Sequence, residues 1–176
     1  GAVTIDGWSE PDYAGTPVIE LNGNNAGAGR NGLTLGAGSS GSTVRGLIVN
    51  RFSGDGIQIS GSNNQTIQGN WIGVNAAGTA ASANTFRGIA VVNSTGTTIG
   101  GTSVAARNVI SGNTQQGIHF DTVTNSVISG NYIGTNAAGT ADVTGTGSNF
   151  AQSGVYISNG STNNVIGGTT AVARNV

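Results

Sequence analysis

Five glycines punctuate the chain, each followed by alternating apolar residues: Gly32-Leu-Thr-Leu, Gly56-Ile-Gln-Ile, Gly88-Ile-Ala-Val, Gly117-Ile-His-Phe and Gly154-Val-Tyr-Ile. A period of two is the pattern of a strand with one face buried. The glycines are 24, 32, 29 and 37 residues apart. Between them lie shorter apolar pieces: Val44, Leu47 and Val49, then Ile67 and Ile72, then Ile99, Val109 and Ile110. Each unit therefore holds two or three short strands, with Gly, Asn, Ser and Thr at the corners, where tight turns need them.

A longer repeat overlies this one. TIQGNWIGVNAAGT at 66–79 returns as VISGNYIGTNAAGT at 127–140, an offset of 61, and the IGGT of residues 99–102 returns at 166–169. No stretch suits a crossover helix, so the chain is expected to coil on itself, each strand pairing in parallel with its equivalent one coil along. Leu33, Ile57, Ile89, Ile118 and Val155 would form one inward ladder, and Leu35, Ile59, Val91, Phe120 and Ile157 the next. The intervening row, Thr34, Gln58, Ala90, His119 and Tyr156, is expected to face water. The fold class is all-β: a right-handed parallel β-helix of about five coils of three short strands, without significant helix. It forms one domain over residues 1–176, with superunits at about 56–116 and 117–176.

Composition agrees. Val and Ile number 31 against four Leu, which favours strands over helices. Gly, Asn, Thr and Ser make 91 of 176 residues, and net charge is only −1. With six Arg and no Lys, the chain lacks the clustered positive charge of a nucleic-acid surface. It has no apolar run long enough to insert in a membrane. No Cys excludes disulfides and thiolate metal sites.

The segments TIDGWSEPDYAGTPVIELNG (4–23), STVRGLIVNRFSGDGI (42–57), GNYIGTNAAGTA (130–141) and IGGTTAVARNV (166–176) resemble the right-handed parallel β-helix repeat proteins of bacterial surfaces and secretomes. The resemblance covers nearly the whole chain. It implies a pectate-lyase-like solenoid in an extracellular or cell-surface setting, and leaves function open, because such repeats carry many roles.

Ionisable groups are few enough to survey completely. His119 and Asp121 alternate to one face of a strand, with Tyr156 and Ser158 on the next coil; these are the candidate catalytic or polysaccharide-contacting residues. The flanking Ala90 and Val92 favour plain surface decoration. Asp55 and Arg87 precede successive marker glycines and are expected to form a cross-coil ion pair, weak if exposed. Gly32, Gly56, Gly88, Gly117 and Gly154, with Asn70 and Asn131, are read as structural turn and ladder residues. Trp71 and Tyr132 are read as repeat-equivalent packing residues that form no evident row with the other aromatics. Asn75 and Asn136 stand where a hard cation favours carboxylates, so no metal site is expected. Gly27-Ala-Gly-Arg-Asn-Gly32 has the spacing of a dinucleotide fingerprint, but a strand follows where a helix is needed, so no cofactor is expected either.

The final repeat stops at Arg174-Asn-Val, where its copy at Arg107 continues into Ile110-Ser-Gly-Asn. The expectation is a segment of a longer solenoid, or coils that stack end to end into filaments. The reading overall is a non-catalytic structural or adhesive module. Its alternative is a polysaccharide-binding solenoid, or a polysaccharide lyase or glycoside hydrolase, working through the His119 face.

Overall fold

The short β-branched segments fold as sixteen strands in three wholly parallel sheets in the computed structural model, which describes residues 1–145 and 153–176. Sheet A holds β1 (Thr4–Asp6), β4 (Thr43–Arg45), β7 (Thr66–Gln68), β10 (Thr98–Gly100), β13 (Val127–Ser129) and β16 (Val165–Ile166). Sheet B holds β2 (Ile19–Asn22), β5 (Leu47–Asn50), β8 (Trp71–Ile72), β11 (Val109–Ile110) and β14 (Tyr132–Ile133). Sheet C holds β3 (Leu33–Leu35), β6 (Ile57–Ser60), β9 (Ile89–Thr95), β12 (Ile118–Thr124) and β15 (Val155–Ser158). Every third strand joins the same sheet, so the chain visits A, B and C in turn: a right-handed parallel β-helix. The helical elements among the described residues are two three-residue 3-10 turns, Gly7–Ser9 and Ala171–Ala173.

The 61-residue repeat equals two coils, because β10 lies between β7 and its copy β13. Alternate coils differ in where they bulge. The third and fifth extend between sheets B and C, whereas the fourth extends between A and B at residues 101–108.

Both inward ladders of sheet C run in the expected register, with Ile57, Ile59, Ile89, Val91, Ile118 and Phe120 fully buried. The intervening row has the expected register but is not uniformly solvated. Thr34 and Tyr156 are exposed, whereas Ala90 is fully covered and His119 is only 7% exposed. Tyr156 stacks on the imidazole with ring centroids 5.0 Å apart, which removes His119 from water.

Corners follow rules as regular as the strands. Two residues before each sheet-A strand from β4 to β16 the backbone is left-handed, at Gly41, Asn64, Gly96, Asn125 and Asn163. Only Gly, and more rarely Asn, adopts that conformation at little cost. A second left-handed row lies at Gly61 and Asn159, just after β6 and β15, and at Asn93 and Thr122, inside the longer β9 and β12. Thr122, at φ 56°, is the β-branched exception in that row.

Turning from sheet A into sheet B, the chain relies on buried amides. Asn70, Asn108, Asn131 and Asn175 each stand just before a sheet-B strand or at its repeat-equivalent position. Each side-chain oxygen accepts a backbone N–H from the preceding coil, of Leu47, Asn70, Asn108 and Asn131 respectively, at 2.9–3.3 Å. Each amide nitrogen donates to a sheet-A carbonyl of that coil, of Val44, Ile67, Ile99 and Ile128, at 2.8–3.0 Å. Asn84 and Asn113 repeat the device at the B-to-C corner, donating to Val49 and Ile72 carbonyls. Asn70 and Asn131 are thus ladder residues, as the sequence suggested, but their bonds run mainly between coils.

Asn108→Ala would leave the Asn70 N–H buried without its partner and remove the amide bond to the Ile67 carbonyl. Urea denaturation should show a loss of about 2–4 kcal/mol. Thr122→Asn should raise stability by about 1 kcal/mol in the same measurement, by relieving the left-handed β-branched residue.

Candidate functional site

Two lateral surfaces concentrate the chemistry. On the outer face of sheet C, a polar row precedes the marker glycines. The Asn31 side-chain oxygen accepts the Asp55 N–H at 2.8 Å, and Asp55 Oδ1 accepts the Arg87 N–H at 3.0 Å. Asp55 Oδ2 lies 3.7 Å from Arg87 Nη1, so the expected ion pair forms. The Asp55 carboxylate is buried, and its shorter bond is to backbone. Burial pushes the Asp55 pKa up, against the Arg87 N–H and the Arg87 and His119 charges.

His119 faces the same surface one coil further. Its Nε2 lies 3.0 Å from Ser158 Oγ, while Nδ1 is buried without a hydrogen-bond partner. Arg87 Nε and Gln116 Oε1 are orphaned likewise. Burial pushes the His119 pKa below its usual value and the Arg87 charge adds to this, opposed by Asp121 and Asp55. Asp121 is turned to other partners: its Oδ1 accepts from Asn159 Nδ2 at 2.9 Å and from the Thr122 hydroxyl at 3.1 Å. These bonds, the Asn159 amide first, hold its carboxyl below the ordinary range.

The structure therefore brings His119, Tyr156 and Ser158 together and directs Asp121 elsewhere. A serine activated by histidine needs a third group to orient the imidazole. Nδ1 meets none here.

Sheet B carries the second surface, which is built in layers. Its outward row reads Glu20, Ile48, Trp71, Val109 and Tyr132 in strand register. Trp71 and Tyr132 thus share a row, while Trp8, Tyr13 and Tyr156 lie outside it. Two coils separate Trp71 from Tyr132, about 9.6 Å at the usual strand spacing. Both pack as expected for repeat equivalents, against an apolar cluster of Val74, Val109 and Val143 outside the main core.

The NAAGT loops form hairpins beside this row. Asn75 Oδ1 accepts the Thr79 and Ala80 N–H groups, and Asn136 does the same for Thr140 and Ala141. Their oxygens close the hairpins. The two hairpins also stack, with the Ala137 N–H donating to the Gly78 carbonyl at 2.8 Å. Across the row stand Tyr13, Thr16, Val104 and Arg107, which with Gly69, Trp71 and Val109 line an open-sided cavity of about 360 Å³.

In the sequence Arg107 stands out only as the repeat copy of Arg174, with no carboxylate to mark it as part of a site. Its guanidinium lies over the Tyr132 ring at 4.2 Å, and its Nε donates to the Gly130 carbonyl at 3.1 Å. Among the described residues, no group of three or more His, Asp or Glu is placed to hold a metal ion. Comparison with family models, curated proteins and solved structures gave no match.

The lowered His119 pKa has a defined consequence for stability. The folded state disfavours the imidazolium, so the His119 contribution is complete above the unfolded pKa of about 6.5 and declines as pH falls through the lower folded value. Urea midpoints measured across that window should fall toward acid, and His119→Gln should flatten this part of the profile. Gln is a fitting replacement because Gln58 holds the same row two coils earlier.

Proposed function

We propose that this protein is a non-catalytic structural or adhesive β-solenoid module of a bacterial secreted or cell-surface protein, of the pectate-lyase-like architectural type. The observation that carries this reading is the buried asparagine ladder, which ties each coil to the one before it through both backbone N–H and C=O groups. A rod bonded this way at its corners resists local opening, which suits a spacer or a scaffold for surface loops. The engagement of Asp121 with Asn159 and Thr122, and not with His119, supports the same reading over a polysaccharide-cleaving site. Partners on this reading are further coils, of the same chain or a second copy. They would cover the exposed apolar side chains Ile157, Val165 and Ile166.

Turnover on acidic and neutral polysaccharides should be undetectable for the parent chain and for a His119→Ala, Asp121→Ala double variant alike. Activity in the parent that disappears in the double variant would overturn the non-catalytic reading in favour of the His119 face.

A further inference from the structure

The cavity over sheet B combines features that the solenoid does not require. We infer that it is a binding site for a small carboxylate with one flat apolar face, such as a sugar acid or an aromatic acid, and that Arg107 receives the carboxylate. The volume of about 360 Å³ falls in the range of small-ligand sites. Trp71 and Tyr13 line it as half-buried aromatic surfaces, and Ala77, Gly78, Ala137 and Ala138 make its opposite wall small and apolar. Flat apolar groups stack well on such rings.

Arg107 is the single charged residue in the lining. Its position is fixed twice, by the Tyr132 ring and by the Nε bond to the Gly130 carbonyl. Neither contact takes up a hydrogen of the terminal guanidinium nitrogens, and among the described residues no carboxylate pairs with them, whereas Arg45, Arg51 and Arg87 each have an acidic partner. A held guanidinium with free donors at the edge of an apolar cavity suits bidentate carboxylate recognition. With no acidic residue in the lining to repel it, an anion is the ligand charge that this wall selects. The site lies on sheet B, away from the His119 face on sheet C, and it does not depend on whether the solenoid is a spacer.

Calorimetric titration of the whole chain with glucuronate and with indole-3-acetate, each against its neutral counterpart, glucose and indole, tests the site and separates the two ligand sources. At least one acid should saturate at millimolar concentration, about tenfold or more tighter than its neutral counterpart. Arg107→Gln should weaken that acid by a similar factor. Ala77→Phe, which fills the cavity from an exposed wall position, should abolish binding while circular dichroism and the thermal midpoint stay unchanged; this arm decides the matter if Arg107→Gln does not fold. The inference is overturned if neither acid saturates, if acid and neutral forms bind alike, or if a folded Arg107→Gln or Ala77→Phe protein binds as the parent does. Turnover by the His119 face would bear on the proposed function and leave this result untouched.

Discussion

Parallel strands satisfy one another's backbone groups, but a coil must turn three times, and at each corner strand pairing is interrupted. A buried N–H or C=O left there without a partner costs about 1–3 kcal/mol, repeated at every coil. Asparagine solves this because one short side chain offers both an acceptor and donors. Asn108 shows the full arrangement: it accepts the Asn70 N–H and donates to the Ile67 carbonyl while itself wholly buried. The flat, closely stacked sheets and the narrow interior of Val and Ile depend on corners tight enough for this amide to reach the preceding coil.

With the corners fixed, the outer surfaces acquire different characters. Sheet C turns its outward row partly inward through contacts between coils, so that Tyr156 covers His119 and Asp55 serves the Arg87 backbone. Sheet B is covered instead by loops from several coils, and the gap between them forms a cavity. Tight A-to-B corners in the second and third coils lie between wide ones in the first and fourth: Gly69 of a tight corner lines the gap together with Tyr13 and Val104 of the wider turns. Loop placement on a rigid frame is a common route to a binding surface.

Electrostatics reinforce this division. Six of the thirteen charged residues form three pairs, Asp6 with Arg45, Glu20 with Arg51 and Asp55 with Arg87. Arg107 is outside these pairs and is held instead by an aromatic face and a carbonyl. Its value to the fold lies in packing against Tyr132, and its unused donors are what make the sheet-B cavity chemically selective.

Much of the fold was legible along the chain. Marker glycines followed by alternating apolar residues defined sheet C and its register, because period-two burial leaves a direct trace in sequence. Repetition implied parallel stacking, and β-branched composition excluded helices. Asn70 and Asn131 were recognisable as ladder positions, yet Asn108 and Asn175 were not grouped with them, since insertions in alternate coils obscure the common place before sheet B. The burial of His119 and Asp55 and the turning of Asp121 toward Asn159 were decided by the tertiary structure. Each depends on which side chain comes to rest on the neighbouring coil, a contact between residues about 23 to 40 positions apart that no local pattern encodes.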